Sequence, residues 1–369
     1  MNQEFLSEDQ ARELVTQYME KTSNKEPVLL QDILDSGTIP ELKGFVAKPG
    51  KVSSSIFGGR FIHDGIEHEN PPLQLFKKEK PLRIMVRSMG ISTHDIKRGY
   101  IPFKDQILAE NHNFMLWLVK NFIGTSQFNI GLPRNSVVIA SENLQTILFE
   151  NVMRRYMAKT TTATSLYQAY ISGKREFCGN SLPNDLIANG KLPELIHTPS
   201  TKSDTHDESV SPEELSKLGI CKIEQYNEIK EASSLAFLAA SEYLAKKGVI
   251  LVDTKLEHGI NSCGEIVSQD EIFTMDSSRF WLLEDYQFQI QQYEEGKIKE
   301  INPKSFSKEF ARGMSQGENG YTDEQKVEIA VRYILGIQYL LGKPFEPDMR
   351  SWEERVVHGL KTAVKTLYQ

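Results

Sequence analysis

Leu251-Val252-Asp253-Thr254-Lys255-Leu256-Glu257-His258-Gly259 continues the β-branched apolar run Val249-Ile250-Leu251-Val252. The run reads as a buried strand, and the residues after it alternate between charged and uncharged. Residues two apart on a strand share a face. Asp253, Lys255 and Glu257 therefore line one side, and Val252, Thr254 and Leu256 the other. Taken alone, this pattern also fits a solvated strand face carrying a surface ion pair.

The residues that follow shift the balance. Gly259 to Gly264 is a polar loop, and Glu265-Ile266-Val267-Ser268-Gln269-Asp270-Glu271 comes next. A hairpin here brings the Asp253/Glu257 face near Asp270 or Glu271. Crowded carboxylates repel one another unless a cation sits among them. Hard oxygen ligands beside a lysine suit magnesium, which takes one or two carboxylates plus phosphate oxygens. Next comes Phe273-Thr274-Met275-Asp276-Ser277-Ser278-Arg279-Phe280-Trp281. Its hydroxyls and arginine make an anion seat, arginine holding phosphate in bidentate fashion, although Asp-Ser-Ser is also common turn chemistry.

Three further clusters carry weaker signals. His197 to Ser209 is a polar stretch containing Lys202, His206, Asp207 and Glu208, and it reads either as a surface loop or as a substrate loop. It lacks the ligand spacing of a zinc site. Phe149-Glu150-Asn151-Val152-Met153-Arg154-Arg155 places adjacent arginines at the end of a strand. Pro49-Gly50-Lys51-Val52-Ser53 sets a lysine among small and hydroxyl residues. It is not a Walker A loop, because the first glycine is absent and Val52 follows the lysine.

Farther out, Ser7 and Gln10 have capping-box spacing and predict a helix from Ser7 to Glu20. Leu82 to Val86 reads as a strand, and a helix is expected from near Asp105 to Phe122. Val137 to Arg154 reads as short strands, and Tyr156 to His197 as loop. Ser211-Pro212-Glu213-Glu214 starts a helix, a longer one runs from Ile223 to Lys247 and stops at Gly248, and two more start at Thr322 and Ser351. These last helices are expected to pack on the second lobe. The expected division is residues 1–150 and residues 151–369.

Composition narrows the classes. The chain has 369 residues, 39% of them hydrophobic and 25% charged, with a net charge of −7. One large two-lobed unit or two domains follows from that length. The acidic balance argues against a nucleic-acid-binding surface as the main function. No apolar run approaches the ~18 residues of a membrane helix, and Met1 to Gln10 lacks the pattern of a secretory signal. Cys178, Cys221 and Cys263 are too sparse and too far apart for a disulfide framework. A cytoplasmic protein with neither nucleic acid nor membrane as partner is the expectation.

Thr198-Pro199-Ser200-Thr201-Lys202, His206-Asp207-Glu208, Val252-Asp253-Thr254-Lys255-x-Glu257, Asp270-Glu271 and Asp276-Ser277-Ser278-Arg279-Phe280-Trp281 occur in this order. Together they resemble the phosphoribosylaminoimidazole-succinocarboxamide synthase (SAICAR synthetase) family. Ile91-Ser92-Thr93-His94-Asp95, Ile101-Pro102-Phe103-Lys104, Glu150 with Arg154, and Phe306 to Arg312 add to the likeness, which spans roughly residues 45 to 315.

The resemblance implies a two-lobed α+β fold: a small antiparallel β-sheet lobe covering ATP, a larger α/β lobe for the acceptor, and extra C-terminal helices. It implies ATP and Mg2+, with carboxyaminoimidazole ribonucleotide and L-aspartate as the other substrates, and leaves a homo-oligomer open. By resemblance, Lys51, Glu150, Asp253 and Lys255 meet ATP, and Asp253, Glu257 and Asp270 hold the metal. Arg154, Ser165, Ser278 and Arg279 hold the phosphoribosyl group. Lys202, His206, Asp207 and Lys255 serve the reacting groups. The family commonly continues Gly-Lys-Val with Arg-Asp, where this chain has Ser53-Ser54, and has Asp-Arg where Met89-Gly90 stands. A ligase using another amine, or a regulatory paralogue that binds nucleotide without turnover, are the alternative readings.

Overall fold

The computed structural model describes residues 4–73, 80–93, 96–202, 207–306, 308–314 and 320–367. Six helices organise the chain: Glu8–Lys21 (α1), Lys104–Val119 (α2), Ile223–Ala245 (α3), Leu283–Glu294 (α4), Asp323–Leu341 (α5) and Trp352–Leu367 (α6). The strands used below are Lys48–Pro49 (β1), Ser53–Phe57 (β2), Leu82–Arg87 (β3), Val138–Glu142 (β4), Gln145–Tyr156 (β5), Lys191–His197 (β6), Ser200–Thr201 (β7), Val249–Ile260 (β8), Ile266–Gln269 (β9) and Ser278–Leu282 (β10).

The chain forms two compact units. The first comprises residues 1–114, 126–144 and 309–369, and the second residues 115–125 and 145–308. The C-terminal helices thus belong to the first unit, a correction to the expectation that they pack on the second lobe. The reason lies in side-chain pairing. Gln338 of α5 bonds both the N–H and the carbonyl of Leu6 (2.8 and 3.1 Å), and Glu328 pairs with Arg12 of α1 at 2.6 Å. From α6, Arg355 reaches the fully buried Asp105 of α2 at 2.6 Å, and the Trp352 indole donates to the Arg87 carbonyl at 2.9 Å.

The sheet of the first unit is antiparallel, in the order β1-β2-β3-β4. Helix α6 lies against β4 at Gly359, where an added Cβ would stand 2.5 Å from Val138 Cγ2. A glycine inside a helix normally costs about 1 kcal/mol relative to alanine; here it permits close packing of helix on sheet.

The second unit is built on a sheet in the order β6-β5-β8-β9, all neighbours antiparallel, with β7 also paired to β5 and β10 to β8. The strand expected over Val249 to Val252 runs on to Ile260, and the expected hairpin forms, Glu257 standing opposite Gln269. Both long strands have twelve residues, and β8 lies at the centre between β5 on one side and β9 and β10 on the other. One face of this sheet carries α3 through Ile147, Phe149, Tyr226 and Ile229. Next to β10, a bulge between Leu251 and Asp253 breaks the alternation, and Val252 packs with Tyr156, Trp281 and Tyr286.

Capping chemistry sets the helix starts. Ser7, Ser211 and Thr322 each form the predicted capping box, and the Ser351 and Glu354 side chains bond each other's backbone N–H. Gly219, Gly248 and Gly342 take positive φ where helices end. Among the described residues, no helix is long and apolar enough to cross a membrane.

Gly359→Ala is expected to lower the unfolding free energy by about 1–3 kcal/mol in urea titration, since overpacking outweighs the gain in helix propensity. A stabilised variant would contradict the close α6–β4 contact.

Candidate active site

The face of the second sheet opposite α3 carries a ladder of charges. Register creates it: Asp253 stands opposite Arg154 on β5 and opposite Arg279 on β10. Paired residues on neighbouring strands project to the same side. Asp253 Oδ2 accepts from Arg154 Nη1 at 2.9 Å, and Oδ1 accepts from Arg279 Nε at 3.0 Å. The Arg154 Nε also donates to Thr198 Oγ1 at 2.9 Å. Burial pulls the Arg154 guanidinium below its ordinary range; Asp253 opposes that effect and Arg279 adds to it.

Two residues along β8, Lys255 donates to Glu150 Oε1, whose other oxygen accepts from Ser200 Oγ at 3.4 Å. Burial pulls the Lys255 ammonium down, but Glu150, Glu257 and Glu271 outweigh it and hold the group above its usual range. Two residues further, Glu257 pairs with Lys202. Lys202 arrives because the chain after β6 runs along β5: Thr198 N bonds Val152 O at 2.8 Å, Ser200 pairs with Glu150, and Lys202 N bonds Leu148 O at 3.1 Å. The predicted alternation of Asp253, Lys255 and Glu257 on one face therefore holds.

Glu257 lies close enough to Asp270 to feel it. Burial and then Asp270 push the Glu257 carboxyl above its ordinary range, with Lys202 and Lys255 offsetting part of the shift. Asp270 adopts φ 60°, a left-handed conformation that aspartate tolerates better than most residues, as the chain turns out of β9. Two mutually repelling carboxylates present the chemistry that a divalent cation relieves. Among the described residues, no three His, Cys, Asp or Glu side chains converge as a metal cage; the chemistry here is that of a carboxylate pair beside lysines. That fits magnesium, which keeps its remaining positions for phosphate and water.

Asp253 stands apart from the acidic pair. Residues four apart on a strand are separated by about 13 Å, which sets Asp253 well along the face from Glu257, and each Asp253 oxygen accepts from an arginine. Ser278 is not brought to Arg279 either. Its hydroxyl lies on the α3 face, 2.8 Å from that of Thr254, because strand alternation turns it away. Ser165 caps the short helix Leu166–Ile171, its side chain accepting from Gln168 N at 3.2 Å. Lys51 is exposed in the first unit, at the bend between β1 and β2. Asp207 is exposed, and His206 lies outside the described residues.

Two features escaped the sequence reading. Thr198, almost fully buried, fixes Arg154; it stood inside a recognised motif, but nothing in the sequence ties it to a residue 44 positions away. Under the sheet, His197 bonds Asn151 Oδ1 (3.0 Å) and Ser234 Oγ (2.9 Å), and His258 lies 3.5 Å from Ser233 Oγ. Asn151 Nδ2 and His258 Nδ1 are buried there with no hydrogen-bond partner among the described residues.

With this geometry in place, comparison with known proteins identifies the family. A family model described as SAICAR synthetase matches residues 74–328. The chain belongs to the SAICAR synthetase family. It is 32% identical over 297 residues to the chloroplastic phosphoribosylaminoimidazole-succinocarboxamide synthase of Arabidopsis thaliana, covering 78% of this chain and 70% of that one. It is 34% identical over 294 residues to the corresponding synthase of Cytophaga hutchinsonii, covering 76% and 90%. In fold it is similar to the SAICAR synthase of Saccharomyces cerevisiae in complex with SAICAR, with a TM-score of 0.64 at 21% identity over 87% of this chain and 99% of that one. It is also similar to a type-2 SAICAR synthetase in complex with ADP, with a TM-score of 0.56 at 20% identity over 82% and 100%. The two-lobed α+β fold expected from the sequence is the fold of this family.

Burial lowers both His197 and His258 to about 4, so each stays neutral in the folded protein well below the ordinary histidine range. Between that value and about pH 6.5 the unfolded chain binds more protons, and stability falls as pH falls. Acidification from pH 7 to pH 4 is expected to cost several kcal/mol through this pair, read as a falling urea midpoint. His258→Gln is expected to flatten the dependence. An unchanged slope in that variant would show that His258 is not held neutral.

Proposed function

We propose that this chain joins L-aspartate to the carboxylate of 5-amino-1-(5-phospho-D-ribosyl)imidazole-4-carboxylate at the expense of ATP, giving SAICAR, ADP and phosphate in purine synthesis, in a cytoplasmic setting. The observation that carries the reading is the ordered charge on one sheet face, an arginine pair at one end and an acidic pair flanked by lysines at the other, in a chain of this family.

A carboxylate is a poor acyl donor because its leaving group would be oxide. Transfer of the ATP γ-phosphoryl group to the acceptor carboxylate makes an acyl phosphate and releases ADP. The aspartate amine then attacks the acyl carbon, loses a proton, and displaces phosphate as the amide forms. No protein nucleophile is required, and positioning and charge stabilisation supply the acceleration.

Each part of the face takes a role in this proposal. Arg154 and Arg279 seat the 5′-phosphate of the acceptor through charge-assisted hydrogen bonds. Glu257 and Asp270 would hold magnesium, which would neutralise charge on the phosphoryl oxygens. Lys255, fixed by Glu150, keeps its proton and faces the transferring phosphoryl group. Lys202, paired with Glu257, would be available to an anionic group of the substrate. Lys51 meets ATP phosphates and Asp207 serves the aspartate; both assignments rest on the family motifs alone. Ser165 and His206 keep their family assignments on the same basis.

ADP release by the purified chain is expected only when ATP, magnesium, the ribonucleotide and L-aspartate are all present, with succinocarboxamide as product. Release without aspartate, or with another amine in its place, would overturn the substrate assignment. Glu257→Gln is expected to raise the magnesium concentration for half-maximal rate at least tenfold while leaving ribonucleotide binding intact. Equal magnesium dependence in variant and parent would remove Glu257 from the metal site.

A further inference from the structure

Asp253 sits where two guanidinium groups meet. Arg154 comes from the strand on one side and Arg279 from the strand on the other, and each takes one carboxylate oxygen (2.9 and 3.0 Å). Two like charges this close repel, and the presence of Arg279 is itself one of the influences lowering Arg154. The carboxylate lies deepest, with 7% of its side chain exposed against 16% and 17% for the arginines. It therefore forms the floor, beneath two guanidinium groups that are themselves only slightly exposed. A magnesium ion at Asp253 would sit beside two guanidinium groups, which Coulomb repulsion opposes.

Arg154 is pinned at a second point. Its Nε donates to Thr198 Oγ1 at 2.9 Å, its Nη1 to Asp253, and its Nη2 has no protein partner among the described residues. Thr198 is itself held by its backbone N–H to the Val152 carbonyl at 2.8 Å. Two fixed acceptors on a planar, rigid donor fork hold the guanidinium in one orientation and leave it donors for a further anion. The group of one carboxylate and two guanidiniums keeps a net positive charge, which suits a phosphate monoester.

We propose that Asp253 and Thr198 are positioning residues that hold Arg154 and Arg279 as a preformed seat for the phosphate monoester of the acceptor, and that Asp253 does not bind magnesium. This rests on the reading that the two arginines take that phosphate. The seat is assembled before substrate arrives, so little ordering remains to be done on binding.

The test uses the full chain and three variants, Thr198→Val, Thr198→Ser and Asp253→Asn, with ribose 5-phosphate as the calorimetric probe and steady-state rates alongside. Thr198→Val leaves every charge in place. It is expected to weaken ribose 5-phosphate binding and raise the ribonucleotide KM about tenfold, with the ATP KM and the magnesium midpoint unchanged; Thr198→Ser, which keeps the hydroxyl, is expected to restore both. Asp253→Asn is expected to weaken the probe as well, although simple removal of a negative charge would tighten it. Parent-level binding in Thr198→Val, or an Asp253→Asn variant that binds the probe normally but needs more magnesium, overturns the proposal. Because the probe needs no turnover, a chain that seats ribose 5-phosphate in a Thr198-dependent way but forms no product would retain the seat and lose the reaction assignment. A chain that forms product and shows no Thr198 dependence would do the reverse.

Discussion

One carboxylate shared by two arginines sets the layout of the second unit. Asp253 lies in the central strand of its sheet, and both neighbouring strands offer an arginine at the register position opposite it. Removing any member of such a buried group leaves charge without compensation, a cost of several kcal/mol. The three strands are therefore held in one register by electrostatics as well as by ladder hydrogen bonds. A one-residue slip would move Arg154 or Arg279 to the α3 face, so register and site are fixed by the same interaction.

From that anchor the rest of the face follows by the spacing of a β-strand. Lys255 and Glu257 fall two and four residues on, and each finds an opposite charge from a different element, Glu150 of β5 and Lys202 beyond β7. Charges alternate in sign along the face, with the two arginines at one end and Glu257 beside Lys202 at the other. The other face has the opposite character. There α3 covers apolar side chains and two neutral histidines, and the polar atoms are satisfied only in part. The solvent-facing chemistry is thus carried on a rigid, buried support, which keeps long side chains in place without substrate.

Much of this was legible in the sequence because it depends on local periodicity. The alternation of Asp253, Lys255 and Glu257 follows from the strand repeat, and the capping boxes at Ser7, Ser211, Thr322 and Ser351 are read from residues three apart. The hairpin that brings Asp270 back to Glu257 was readable from the polar loop between two strand-like runs. What stayed hidden depends on pairing between distant segments. No local signal says that Arg154 stands opposite Asp253, that Thr198 holds Arg154, or that Ser278 is turned away from Arg279. The strand repeat puts Asp253 and Glu257 on one face, but it does not say that arginines from two other strands meet Asp253 there. The short elements between Tyr156 and His197, read as loop, include the seven-residue strand β6, whose Pro193 and charged neighbours mask its pattern. The capping signals at Thr322 and Ser351 say where the C-terminal helices start, not what they pack against, and the helices fall in the first unit.

The account requires the cation and the acceptor phosphate to occupy opposite ends of one sheet face. The most direct measurement is a crystal structure of the full chain with Mn2+, ADP and the ribonucleotide, with the manganese located by its anomalous signal. The account predicts manganese on Glu257 and Asp270, and the ribonucleotide phosphate on Arg154 and Arg279 with Asp253 still bridging the two. Manganese bound to Asp253, with the arginines swung away from it, would contradict the account.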